Sequence, residues 1–118
     1  MPDSGSIQFF ATLDELVRTS SIVIDRPRSV VHPRIPHAVY PVDYGYLAGT
    51  NGGDGDGIDI FVGTDTDVGV NAVLLTADTE KRDAEIKLLL NCTPNETAQV
   101  RAFLVDVLHI GGHVVVRP

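Results

Sequence analysis

The stretch that most constrains this chain runs Tyr40-Pro-Val-Asp-Tyr-Gly-Tyr46-Leu-Ala-Gly-Thr-Asn-Gly-Gly-Asp54-Gly-Asp56-Gly-Ile-Asp59-Ile-Phe-Val62. Three tyrosines are followed by five glycines interleaved with three carboxylates, and then by an apolar strand. Carboxylates this close together repel one another, and their joint ionisation is disfavoured unless something cationic sits between them. A hard divalent cation, which prefers carboxylate oxygens, is the economical reason for such a cluster. The competing reading is a solvated Asp/Gly turn between strands.

Charge sharpens the choice. The formal net charge is -7, which argues against a general nucleic-acid or anionic-membrane binder, since those need a positive field. An acidic protein acting on a polyanion needs metal ions as intermediaries. Yet Arg26, Arg28 and Arg34 fall together in a segment with Pro27, Pro33, Pro36 and His32. Proline fixes the backbone there, predicting a rigid irregular loop or edge strand. Guanidinium groups match phosphate oxygens two at a time, so an oxyanion clamp stands beside the plainer reading of a solvated basic loop.

With 118 residues the chain is expected to form one domain over 1–118. No apolar run approaches the ~20 residues of a membrane span. The start, Met-Pro-Asp-Ser-Gly-Ser, has neither the basic nor the apolar region of a signal peptide, so a cytoplasmic protein is expected. Cys92 has no partner for a disulfide or zinc pair and reads as a small buried residue behind Leu88-Leu89-Leu90.

Residues 1–8 read as frayed. Thr12-Leu-Asp-Glu15 has the form of a capping box opening a short helix to about Thr19, with Phe9 or Phe10 stapling it to the body. Strands are expected at Ile22–Ile24, Ile58–Val62, Val68–Thr76, Ala84–Leu90 and Val114–Val116. In extended form from Asp83 into the fourth of these, Asp83, Glu85 and Lys87 share one face while Ile86 and Leu88 share the other. Thr93-Pro94-Asn-Glu96 is a second capping box, and Val100, Phe103, Leu104, Val107 and Leu108 follow helical spacing up to Gly111-Gly112. The pattern predicts an α+β fold, a small, partly closed antiparallel β-barrel (OB-like) with two flanking helices.

Several motifs fail on inspection. Asp54–Asp65 lacks the glycine and glutamate of an EF-hand loop, and Gly52–Gly57 lacks the Gly-Lys-Ser/Thr ending of a P-loop. His109 and His113 are separated by Gly-Gly, which breaks the face that a zinc pair needs. What remains is a constellation of Asp54, Asp56, Asp59, Asp78, Asp83, Tyr44 and the arginines before Tyr40. Carboxylates for several divalent ions, with guanidinium and phenol donors for phosphoryl oxygens, are the parts of metal-assisted phosphoryl hydrolysis.

Over roughly residues 22–90 the chain resembles the soluble inorganic pyrophosphatases of family I. The likeness rests on Tyr40-Pro-x-x-Tyr44-Gly-Tyr46, the eight-residue step from Tyr46 to Asp54, and Asp54-Gly-Asp56-x-x-Asp59 followed by apolar residues. Asp78 and Asp83 keep the five-residue step of the family's downstream acidic pair. Ile22-Val-Ile-Asp25-Arg-Pro resembles its strand ending in a metal-facing acid. The resemblance implies Mg²⁺-dependent hydrolysis of pyrophosphate to two phosphates by a metal-bridged hydroxide. In that scheme Asp54, Asp59 and Asp83 hold the first magnesium, Asp59 bridges to the second, and Asp78 with Asp83 holds ions arriving with substrate. Asp25 faces the metals, Asp56 accepts the proton of the water, and Tyr44 hydrogen-bonds near the attacked phosphate. Arg34 is the expected phosphate-binding arginine, with Arg28 as its rival. Self-association into homo-oligomers is implied as well.

The departures are specific. Gly57 replaces the proline of the signature. Glu85 stands two positions after Asp83, where the family has lysine, and Lys87 lies one pleat further along. No Tyr-Lys pair near the C-terminus grips the leaving phosphate, Arg117 being the remaining cation there. These losses motivate the alternative of a module that binds metal and phosphate with weak or no turnover. An oligonucleotide-binding reading rests on the barrel alone and conflicts with the charge and the scarcity of aromatics.

Overall fold

A computed structural model describes residues 3–53 and 55–118. Six strands form one sheet: β1 (Ser21–Arg26), β2 (Asp43–Ala48), β3 (Ile58–Val62), β4 (Val70–Asp78), β5 (Asp83–Leu90) and β6 (Gly111–Val116), in the order β1-β2-β3-β5-β4-β6. The chain is α+β, as expected. Its ladders are antiparallel except for β3 with β5, which run parallel, and the sheet stays open between its edges β1 and β6.

The pleat sends alternate side chains to opposite faces, so each face can build its own core. On one face Leu47, Ile60, Val73 and Leu88 pack against Phe10 and Leu13 of α1 (Ser4–Arg18). Asp14 pins this helix, accepting the backbone N–H of Val70 at 2.9 Å and pairing with Arg117 at 2.8 Å. On the other face Phe61, Ala72, Leu74 and Leu89 pack against Val100, Phe103 and Leu104. Those three belong to α2 (Pro94–Ala102) and the π-helical turn Phe103–Val107 that continues it.

Two expectations are corrected. The first helix begins at Ser4, not Thr12, because Asp3 caps it by accepting the N–H of Ser6 at 2.7 Å. Thr12 lies mid-helix with its hydroxyl donated back to the carbonyl of Gln8, and Phe10 reaches the core from within the helix. The second helix does not run to Gly111-Gly112. The N–H of Ile110 closes on the carbonyl of Leu104, His109 turns the chain with φ at 57°, and the two glycines open β6 opposite Thr76 and Ala77.

The proline-rich segment folds as an irregular hairpin, with Val31 bridged to Val39 and His32 N–H donated to the carbonyl of Ala38 at 2.8 Å. It brings Tyr40 and Val42 onto the same face of the sheet as Phe61 and Phe103.

Candidate active site

The site begins with Gly45. A β-carbon there would lie 2.8 Å from the carbonyl carbon of Val23 and 2.9 Å from Cα of Ile24, so only glycine lets β1 pack this closely on β2. Tyr44 and Tyr46, either side of it, point to the α2 face. Tyr44 sits in an aromatic row, 5.4 Å from Tyr40 and 4.8 Å from Phe61 between ring centroids.

The parallel ladder sets Asp59 of β3 level with Lys87 of β5. The Lys87 ammonium is 2.6 Å from Asp59 Oδ2 and 3.0 Å from Glu85 Oε2, and it also lies over the Tyr44 ring, 5.9 Å from its centroid. Lys87 is 8% exposed, unusual for a lysine unless paired. Burial pulls its pKa down, but facing Tyr44, Asp59 and Glu85 outweigh that and hold it above the ordinary lysine value. Burial pushes the Glu85 carboxyl above its usual range, with Lys87 opposing and Asp59 reinforcing the rise. Burial likewise raises the Tyr44 phenol, against the pull of Lys87 and with the help of Asp59, so the hydroxyl stays protonated and able to donate.

Two cavities meet at this ion pair. A hollow of about 340 Å³ is lined by Asp25, Tyr46, Asp56, Gly57 and Asp59. Three carboxylates with no sulfur or imidazole donor form an oxygen set suited to Mg²⁺, which keeps several waters and takes only one or two carboxylates directly. Among the described residues no three acidic, His or Cys side chains gather tightly enough to cage an ion by themselves. The second cavity, about 90 Å³, is lined by Arg26, His32, Tyr40, Tyr44, Lys81 and Lys87 over an apolar floor that includes Phe61 and Phe103. No Asp or Glu among the described residues lines it. The Arg26 guanidinium donates to the Tyr40 hydroxyl and lies over that ring. His32 stacks on Tyr40 and accepts the Arg34 N–H at Nδ1, 3.1 Å away. Burial, then the charges of Arg26, Arg34 and Lys81, holds its pKa below the ordinary histidine value.

The expected site residues therefore divide. Asp25, Asp56, Asp59, Tyr44 and Lys87 come together. Asp54 lies outside the described residues; Gly53, before it, lies against Ala84 and Glu85. Asp78 and Asp83 pair across the end of the β4–β5 hairpin, and Asp83 is four residues before the level of Asp59, about 13 Å along the strand. Asp78 accepts the N–H groups of Glu80 and Lys81. Arg34 lines an adjoining outer cavity with His32. Arg28 lies elsewhere: its N–H is donated to Asp43, and its charge acts on Glu96. Arg26 was expected only as one of the three arginines of the oxyanion clamp, while His32, Lys81 and Glu85 carried no role of their own. Glu85 was legible as the neighbour of Lys87 on one strand face; Lys81 had no signal, since a hairpin turn brings it in.

A family model described as Pyrophosphatase: Inorganic pyrophosphatase matches residues 18–97, a span that contains every charged residue of both cavities. No curated protein and no solved structure matches the chain.

Proposed function

Because the chain belongs to the inorganic pyrophosphatase family, we propose that it hydrolyses inorganic pyrophosphate to two phosphates with Mg²⁺ as its cofactor. The observation that carries the reading is the meeting of an acid-lined hollow and a cation-lined cavity at the Asp59–Lys87 pair, with Tyr44 between. Asp25 and Asp59 would hold Mg²⁺, with Asp54 a further candidate ligand on the sequence resemblance, while Asp83 is left for ions that arrive with substrate. The chemistry that Mg²⁺ supplies when bound is neutralisation of phosphate charge and acidification of a water.

This chain's residues do the rest. Asp56 accepts the proton of the attacking water. Tyr44, kept protonated by burial, donates to an oxygen of the attacked phosphate, and Lys87, Arg26 and Lys81 hold the phosphate oxygens in the cation-lined cavity. Desolvation there strengthens each contact. The lone buried thiol of Cys92, pushed up to about 12 chiefly by burial, suits a reducing cytoplasm. Exposed Ile22 and Ile24 on the edge strand, and Val30, Val31 and Val39 in the irregular hairpin that follows it in the chain, suit self-association.

The test is phosphate release from pyrophosphate with and without Mg²⁺. Asp56→Asn should lower turnover by about 10²- to 10⁴-fold. Activity unchanged by both the substitution and a chelator would refute the reading. A second reading, a module that binds metal and phosphate without turnover, is favoured by one feature: Lys87 already neutralises Asp59 and Glu85 from within. Calorimetry showing Mg²⁺-dependent pyrophosphate binding, with no phosphate released, would select it.

A further inference from the structure

The cation-lined cavity shares a wall with a larger one. His32, Lys81, Leu108 and Ile110 line both, and the outer cavity, about 300 Å³, adds Arg34, Ile35, Asp78 and Glu80. Its volume falls at the lower end of small-molecule sites, ~300–1,000 Å³. Inorganic pyrophosphate gains nothing from an apolar wall, because every atom it presents is a phosphate oxygen. Ile35, Leu108 and Ile110 form such a wall, and the carboxylates of Asp78 and Glu80 are hydrogen-bond acceptors that would repel a phosphate. Cations at the shared rim, and beyond it acceptors and apolar surface with the single guanidinium of Arg34, match a ligand that changes character along its length.

We propose that the outer cavity takes the organic group of a diphosphate ester of the nucleoside diphosphate class, so that the site also cleaves such esters. This rests on the pyrophosphatase reading. The ester-bearing phosphate lies between Arg26, His32 and Lys81. Apolar surface of the organic group lies on Ile35 and Ile110, and its hydroxyls donate to Asp78 or Glu80. The terminal phosphate lies at Lys87 and Tyr44. Water oxygen bonds to the terminal phosphorus, the bridging P–O bond breaks, and its electron pair leaves on the ester-bearing phosphate. The water's proton passes to Asp56, and the products are a monophosphate ester and phosphate, with no oxidant or further reactant.

The experiment measures phosphate release from pyrophosphate and from ADP by the full chain with Mg²⁺, in wild type and Ile35→Ala. The expected result is release from both. Ile35→Ala should lower kcat/KM for ADP at least about tenfold, as loss of apolar pocket surface does, and leave pyrophosphate hydrolysis unchanged. That unchanged rate also reports a folded variant. Should Ile35→Ala fail to fold, competition by ADP against pyrophosphate in wild type replaces it. Pyrophosphate cleaved while ADP is neither cleaved nor competitive overturns the inference alone. If neither is cleaved, the pyrophosphatase reading falls; calorimetry with ADP and Mg²⁺ then supports the pocket if heat is seen and overturns it if none is.

Discussion

Replacing Lys87 by methionine keeps the length and apolar stem of the side chain and removes only the ammonium. Because the Asp59 and Glu85 oxygens lie 2.6 and 3.0 Å from that one nitrogen, they are no more than about 6 Å apart, and two unit charges at that separation repel by about 3 kcal/mol at an effective dielectric constant of about 20. The carboxylates are only 21% and 12% exposed, so water relieves little of this. Breaking a buried pair by removing one partner commonly costs 3–5 kcal/mol, so a loss of about 3 kcal/mol is expected at neutral pH. The variant has one escape: Glu85 takes up a proton. Its folded pKa, already raised by burial, rises further once Lys87 is gone, while its unfolded pKa stays ordinary. The folded state then binds more protons than the unfolded one, so the deficit shrinks as pH falls through the raised folded pKa toward the ordinary value. Thermal unfolding followed by circular dichroism should show Lys87→Met melting well below wild type at neutral pH and close to it in mild acid. Millimolar Mg²⁺ should restore part of the neutral-pH loss, since freed carboxylates gain affinity for an outside cation. A variant as stable as wild type at neutral pH, or equally destabilised at both, would refute the claim that this ammonium neutralises the pair.

Gly45→Ala places a methyl group against the β1 backbone, which cannot swing aside as a side chain can; a loss of at least about 1–3 kcal/mol is expected in chemical denaturation, together with weaker hydrolysis because Asp25 and Arg26 ride on β1. His32 has a folded pKa below its unfolded one, so the unfolded chain binds the extra proton first and stability falls as pH drops below about 6.5. His32→Asn should flatten that acid limb of the melting-temperature profile, and an unchanged slope would remove His32 as its source.

Local chemistry was legible where it was realised locally. Thr93-Pro94-Asn-Glu96 forms its capping box, with Glu96 accepting the Thr93 N–H at 2.9 Å and Thr93 accepting the Glu96 N–H at 3.1 Å. Glu96 also takes the N–H and hydroxyl of Thr64, a contact between distant segments that spacing could not announce. Thr12-Leu-Asp-Glu15 has the same form but sits inside a helix already capped by Asp3, where a threonine hydroxyl bonds back to the preceding turn. A capping box is informative only when nothing upstream continues the helix. The parallel ladder between β3 and β5 was not legible at all. Alternation fixes which face a side chain takes, but not which strand lies beside it.

That ladder bears on the lysine missing two positions after Asp83. Moving two residues along an extended strand leaves a side chain on the same face, so two alignments of the acidic segment share one pattern. Asp78 and Asp83 keep a five-residue step and are followed by Glu85; Glu80 and Glu85 keep the same step and are followed by Lys87. Sequence favours the first, because aspartate matches aspartate. Position in the sheet favours the second: Lys87 is level with Asp59, Glu85 lies one pleat before it, and Asp83 is at the hairpin end opposite Asp78. On the second alignment the lysine is present, buried beneath Tyr44 and bonded to both acids. On that alignment the departure that most favoured a module without turnover would be a two-residue shift with the ammonium retained. The comparison that separates the alignments is Glu85→Gln against Asp83→Asn: the first should impair pyrophosphate hydrolysis far more than the second, and the reverse order would restore Asp83 to the centre of the site.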